Sequence, residues 1–128
     1  MAYAQRQCNE YGKLGMMGTT VLYSSGDNGV AGNGGNCITG IKFNPDFPAS
    51  CPFVTAVGAT QINPGSTVFE PESACEQVIY SGGGFSNIFA MPEYQEAAVH
   101  RYLKDYPPPY TALQYNNSGM VMTLLHCE

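Results

Sequence analysis

Charged residues are scarce in this chain. Only 12% of its 128 residues are Asp, Glu, Lys or Arg, and the formal net charge is −5. The five basic residues stand singly along the sequence: Arg6, Lys13, Lys42, Arg101 and Lys104. Because a nucleic-acid surface must neutralise several neighbouring phosphates, this distribution argues against a nucleic-acid partner.

Long hydrophobic runs are lacking too. No apolar stretch approaches the ~20 residues that a membrane helix requires, so no membrane span is predicted. Residues 1–6 are too polar for a signal peptide, and if the parent protein is secreted, its leader is not in this sequence. The sequence therefore leaves the cellular compartment open.

The cysteines lack metal-ligand spacing. They stand at positions 8, 37, 51, 75 and 127, and no two of them form a Cys-x-x-Cys pair, so no metal site is predicted. Cys37 and Cys51 bracket a proline-rich loop and are a candidate disulfide, with buried free thiols as the alternative. His100 is expected to be solvated, and the adjacent His126 and Cys127 point to opposite faces of an extended chain, so they form no site.

Two amphipathic helices are predicted. In residues 3–17 apolar side chains recur at spacings near three and four, and Gly15 and Gly18 supply the helix end. In residues 92–104, Pro92 suits the first helical position and Glu93 the positive end of the helix dipole. The apolar face of this second helix comprises Tyr94, Ala98, Val99 and Leu103.

Two buried parallel strands are predicted near residues 19–24 and 53–60. Both segments are short, rich in β-branched and aromatic side chains, and bounded by turn residues. Between them, the glycines and asparagines of residues 26–40 are compatible only with a loop. Residues 77–80 are a candidate third strand. A helix, a short turn and a strand make half of a βαβ unit, so the fold class is α/β.

Three motifs carry the most specific information. Residues 24–30 read Ser-Ser-Gly-Asp-Asn-Gly-Val and place Asp27 in a turn at the carboxyl end of the first strand, where open α/β sheets hold their chemistry. Residues 43–60 hold the segment Phe-Pro-Ala-Ser-Cys-Pro and the second strand, and residues 81–87 read Ser-Gly-Gly-Gly-Phe-Ser-Asn.

In order and spacing, these motifs resemble the middle of a sedolisin, the serine-carboxyl peptidase family of subtilisin-like fold that includes fungal tripeptidyl peptidases. The resemblance covers residues 1–118 and leaves residues 119–128 as a divergent tail. It implies a truncated subtilisin-like three-layer fold, with a short parallel sheet flanked by helices. It also implies a parent protein that is secreted or works in an acidic compartment.

The resemblance assigns two functional segments. It implies that Asp27 stabilises an oxyanion, which a carboxyl group does only when it is protonated and can donate a hydrogen bond. It implies that Ser81, Gly82, Gly83 and Gly84 line the substrate, because glycine lets a peptide backbone approach closely. The alternatives are a turn aspartate bonded to its own backbone, and a glycine loop without a ligand.

Other parts of the family's machinery are expected outside this sequence. The resemblance implies a nucleophilic serine in a Gly-Thr-Ser turn, a Glu and Asp pair on a helix, and a calcium site. None of these is recognised in the 128 residues, and Ser118 lies outside any Gly-Thr-Ser sequence. We therefore expect no cofactor and no catalysis by the chain alone.

Two other functions stay open: a fungal binding or effector protein, lectin-like or immunomodulatory, and a peptidase that is active only when the missing segments are supplied in trans. A peptide or protein ligand is expected. The bare edge of the first strand predicts a homo-oligomer. Asn116 begins an Asn-Asn-Ser glycosylation pattern, which matters only if the chain is secreted.

Overall fold

The computed structural model describes residues 2–122, which form two helices and three two-stranded sheets. The elements are α1 (Ala2–Met16), β1 (Leu22–Ser24), β2 (Thr55–Val57), β3 (Thr60–Gln61), β4 (Ser73–Ala74), β5 (Phe85–Ala90), α2 (Glu93–Asp105) and β6 (Gly119–Val121). Neither helix in these residues is long and apolar enough to cross a membrane.

Both predicted helices are confirmed. The α1 helix ends at Met16, and Gly18 follows it with a φ of +84°, which lets the Thr19 N–H turn back to the Leu14 carbonyl at 3.0 Å. The α2 helix begins one residue later than predicted, because Pro92 is extended and precedes the first helical residue. Of the predicted apolar face Val99 is buried, whereas the other members are partly or largely exposed.

The two predicted strands pair in parallel as expected, with Leu22 opposite Thr55 and Ser24 opposite Val57. The prediction that they are buried is wrong: Leu22 is 64% exposed and Val57 is 51% exposed. Parallel strands become buried when other layers cover both faces of the sheet. In residues 2–122 this sheet has only two strands, and its ring contact with α1 is Tyr23 against Tyr11 at 6.3 Å.

The disulfide joins Cys8 to Cys51, so the predicted bridge between Cys37 and Cys51 is wrong. Helix α1 lies against the segment before β2 and brings the two Cα atoms to 5.6 Å. Both cysteines are buried, and they form a core cluster with Val54. The packing of the helix, rather than the loop that Cys37 and Cys51 bracket, decides the pairing.

A second core cluster lies between α2 and the antiparallel β5–β6 sheet. Its buried members are Phe85, Val99 and Val121. The Gln95 side chain of α2 also binds the β6 backbone twice: its Nε2 donates to the Val121 carbonyl at 2.9 Å, and its Oε1 accepts the Val121 N–H at 3.0 Å.

The first residues of the sequence assigned to the divergent tail thus form the strand β6, and Met120, Val121 and Met122 are all buried. The remaining tail residues, with His126 and Cys127, lie outside the described residues. The predicted third strand at residues 77–80 is reduced to one parallel bridge, between Tyr80 and Asn28.

Candidate functional site

The turn that holds Asp27 follows β1 directly. The Ser25 N–H donates to the Val57 carbonyl at 2.9 Å and so extends the pairing of β1 with β2 by one residue. Gly26 then reverses the chain with a φ of +101°, a conformation that side-chain-bearing residues rarely adopt. Asp27 is exposed, and its carboxylate makes no hydrogen bond or ion pair within residues 2–122. The carboxyl group is therefore available to another molecule.

The glycine-rich segment 81–84 and the residue before it hold this turn in place. The Gly82 N–H donates to the Gly26 carbonyl at 2.9 Å, and the Tyr80 N–H donates to the Asp27 carbonyl at 2.9 Å. In the opposite direction, the Gly29 N–H donates to the Tyr80 carbonyl at 2.8 Å. The structure therefore joins two motifs that lie more than fifty residues apart in the sequence.

The segment itself is buried from solvent, at Ser81, Gly82, Gly83 and Gly84 alike. A Cβ atom on Gly82 would overlap the Ser25 carbonyl, so glycine is required there by the close approach of the two backbones. The Gly83 N–H also donates to the Gly29 carbonyl at 3.1 Å. Two amide groups that a bound peptide would use are thus already occupied by the turn.

Two buried serines connect the turn, the glycine segment and the exit of β2. The hydroxyls of Ser25 and Ser81 lie 3.3 Å apart and share a hydrogen bond, and the Ser81 Oγ accepts the Ala59 N–H at 2.8 Å. Each serine is only 2% exposed. Within residues 2–122 the hydroxyls bond to each other and to a backbone amide, and so they hold the three segments together. Sequence reasoning missed this pair, because nothing in the spacing of these residues indicates that they meet.

A second acid lies beside the turn and was also missed. The Asp46 Oδ1 accepts the Asn33 N–H at 2.7 Å. Burial raises the pKa of the Asp46 carboxyl above its ordinary value, and the hydrogen bond from Asn33 opposes this shift by a smaller amount. The signal available in the sequence was only an Asp in the second motif, where its packing against the first motif could not be foreseen.

An apolar cavity of about 460 Å³ opens beyond the end of the glycine segment. Aromatic rings dominate its wall, and Val30 and Gly84 connect it to the turn and the segment. The ring of Phe43 lies edge-on to that of Tyr110 at 4.9 Å on this wall. The size suits an apolar side chain or a small ligand.

No group of three or more His, Cys, Asp or Glu residues in the described part of the chain is placed to hold a metal ion. The expectation that the family's calcium site lies outside this sequence stays a prediction. At the glycosylation candidate, the Asn116 Nδ2 donates to the Ser86 carbonyl at 3.0 Å, and its Oδ1 accepts the Ser118 hydroxyl at 2.7 Å. Both ends of this side chain are therefore engaged in the fold.

Comparison with known proteins identifies relatives of this arrangement, although no family model matches the chain. Aorsin of Aspergillus oryzae is 52% identical in an alignment that covers 84% of this chain and 18% of aorsin. Tripeptidyl-peptidase sed1 of Aspergillus fumigatus is 42% identical in an alignment that covers 86% of this chain and 18% of that protein. Tripeptidyl-peptidase SED1 of Arthroderma otae is 39% identical in an alignment that covers 86% of this chain and 20% of that protein.

Comparison with solved structures identifies a neighbour in the sedolisin family as well. Pseudomonas sedolisin, a serine-carboxyl proteinase complexed with two molecules of pseudo-iodotyrostatin, has a TM-score of 0.57 at 26% identity, over 73% of this chain and 28% of its own. The present chain spans about a fifth of the length of the curated relatives that it matches. The three sequence motifs, the fungal relatives and the structural neighbour agree, and the chain belongs to the sedolisin family.

Proposed function

We propose that this chain carries the oxyanion-stabilising part of a serine-carboxyl peptidase, with Asp27 as the hydrogen-bond donor. The observation that supports this role is the Asp27 carboxyl group itself, which is exposed on a turn whose main chain is held by hydrogen bonds from both directions. Preorganised donors are effective because they need not move when the charge develops.

The chemistry requires a protonated carboxyl group. As a peptide carbonyl becomes tetrahedral, its oxygen gains negative charge, and only a protonated carboxyl group donates a hydrogen to it. An ionised carboxylate would instead repel that oxygen. Stabilisation of the oxyanion by such a group is therefore favoured in an acidic medium.

We further propose that the 128 residues alone bind peptides without cleaving them. The sequence contains no Gly-Thr-Ser turn, which the resemblance requires for the nucleophile. Turnover would require the serine and its Glu and Asp partners from additional polypeptide, either in the same protein or in trans. The substrate-lining role of residues 81–84 stays a prediction, and a peptide would have to use groups other than the Gly82 and Gly83 amides.

The exposed parallel sheet supports two finer proposals about assembly. Its apolar side chains are accessible on β1 and β2, as expected for part of a larger three-layer subtilisin-like sheet. In the isolated chain we propose that the free edge of β1 pairs with a second copy. Light scattering coupled to size exclusion tests this, and a monomer at high protein concentration would contradict it.

Peptide hydrolysis and ligand binding test the functional proposal. Purified chain is incubated with peptide substrates at acidic and neutral pH, and its affinity for pseudo-iodotyrostatin is measured by calorimetry. We expect no turnover, binding that is stronger at acidic pH, and binding at least tenfold weaker in Asp27→Ala. The matched control is Glu10→Gln, which removes an equal charge from the exposed surface of α1.

Cleavage of a peptide by the purified 128-residue chain would contradict the proposal that the chain alone is inactive, and would favour a complete peptidase. Equal affinity of the wild type and Asp27→Ala for pseudo-iodotyrostatin would contradict the role of the acid.

A further inference from the structure

The Asp46 carboxylate lies against both ends of the segment that contains Asp27. One oxygen, Oδ1, accepts the Asn33 N–H at 2.7 Å. The other oxygen, Oδ2, is 2.7 Å from the place that a Cβ atom on Gly26 would occupy. The carboxylate thus touches the turn immediately before Asp27 and again six residues after it.

Gly26 is the glycine of the turn that lies nearest to Asp46. Its φ of +101° favours glycine, and a Cβ atom added to it would force the Asp46 carboxylate to shift. Gly32 also has a positive φ, +71°, but a Cβ atom there would meet the Asn44 carbonyl first, at 2.4 Å, and the Asp46 Oδ1 only at 3.4 Å. The Asp46 carboxylate therefore packs closely against Gly26 and makes ordinary contact with Gly32.

The backbone near Asp46 is fixed independently of its carboxylate. The Asn44 N–H donates to the Val30 carbonyl at 2.8 Å, and the Asp46 carbonyl accepts the Ser50 N–H at 2.9 Å. Asp46 therefore extends from a segment that is anchored on either side of it. Because the backbone at Asp46 is held in place, its carboxylate offers the turn a contact at a fixed position.

We propose that Asp46 is a positioning residue for the oxyanion turn: its carboxylate supports Gly26 and binds Asn33, and so fixes the place of Asp27. This proposal rests on the proposed function only for the consequence at Asp27. The effect on the turn itself is measurable without any ligand.

Amide hydrogen exchange in the full 128-residue chain tests the effect on the turn. We expect Asp46→Ala to accelerate exchange at Asn33 and Gly29 at least tenfold, with Met122, which donates to the Gly84 carbonyl, as the internal reference for folding. Asp46→Asn keeps an oxygen that accepts the Asn33 N–H, so we expect exchange within threefold of the wild type. Unchanged exchange at Asn33 and Gly29 in Asp46→Ala would overturn the proposal.

A glycine pair supplies a second measurement that does not depend on Asp46→Ala being folded. Gly26→Ala and Gly40→Ala both place a side chain at positive φ, but Gly40 has open space around it. We expect Gly26→Ala to lower the urea midpoint clearly more than Gly40→Ala, because only the first variant meets the Asp46 carboxylate. Equal shifts would mean that the Asp46 carboxylate moves aside for the new Cβ atom, and would contradict the proposal that it holds Gly26 in place.

Binding of pseudo-iodotyrostatin connects the turn to Asp27. We expect at least tenfold weaker binding in Asp46→Ala and recovery to within threefold of the wild type in Asp46→Asn. If the wild type binds and Asp46→Ala binds equally well, positioning is refuted while the proposed function stands. If the wild type does not bind but the exchange and glycine results are as expected, the proposed function fails and the support of the turn by Asp46 stands.

Discussion

Loss of the Cys8–Cys51 bridge should destabilise the fold by about 4 kcal/mol. The bridge closes a loop across a sequence separation of 43 residues. Loop closure of this length removes about 13 cal/mol/K of entropy from the unfolded chain, which is about 4 kcal/mol at 25 °C. Because small domains have total stabilities of only about 5–15 kcal/mol, the bridge is a large part of the whole.

Urea unfolding of the oxidised and the reduced wild type measures the effect of reduction, and the double variant Cys8→Ala/Cys51→Ala assigns that effect to this bridge. With a urea slope of about 1–3 kcal/mol/M, we expect reduction to lower the midpoint by roughly 1.3–4 M. The double variant Cys8→Ala/Cys51→Ala should lose more, because both sites are buried and the smaller side chains also leave a cavity. An unchanged midpoint on reduction would refute the loop-closure reasoning.

Tryptic mapping without reductant identifies the partners. Cleavage after the lysines and arginines places Cys8 in peptide 7–13, Cys37 in peptide 14–42, and both Cys51 and Cys75 in peptide 43–101. We expect peptides 7–13 and 43–101 to be linked, and to stay linked in the control Cys75→Ala. In Cys75→Ala, peptide 14–42 linked to 43–101 with 7–13 released alone would restore the pairing of Cys37 with Cys51 and contradict the structure.

Three further predictions concern single side chains. Gln95→Ala should lower the unfolding free energy, measured in urea, by about 1–3 kcal/mol for each backbone group of Val121 that it leaves unsatisfied, and an unchanged free energy would contradict this role of the side chain. Since the pKa of Asp46 is raised in the fold, its contribution to stability is fully present below the ordinary pKa of an aspartate and is lost as the pH rises through the raised value. The unfolding free energy of the wild type minus that of Asp46→Asn should therefore fall over that pH window. A difference that does not change with pH would contradict the shift. Asn116, whose amide donates to the Ser86 carbonyl, should not be glycosylated when the folded chain is incubated with a glycosylating extract. The unfolded chain should be glycosylated. Equal glycosylation of the two, measured by mass spectrometry, would contradict this prediction.

Local patterns predicted the helices, because the recurrence of apolar residues depends on neighbours in the sequence. The order of helix, turn and strand indicated that the two strands run parallel. The spacing of apolar residues located α1, and the glycine after it stops the helix through its positive φ, as Gly18 shows. Burial was predicted wrongly for Leu22 and Val57, since burial depends on which other layers cover the sheet.

The candidate site was predicted in its parts and missed in its assembly. The sequence identified Asp27 and residues 81–84 separately, but not that the Gly82 and Tyr80 amides bind the turn. Contacts between residues distant in sequence leave no local pattern, and for the same reason the packing of Asp46 and the pairing of Cys8 with Cys51 could not be foreseen.

The way the turn is held has a consequence for how its chemistry can change. Its shape depends on main-chain hydrogen bonds and on glycines, while the side chain at position 27 takes no part in maintaining it. An amide, a hydroxyl or a carboxyl group at that position would therefore be presented by the same scaffold. Selection, or an engineer, can exchange the side chain at this position without redesigning the loop that displays it.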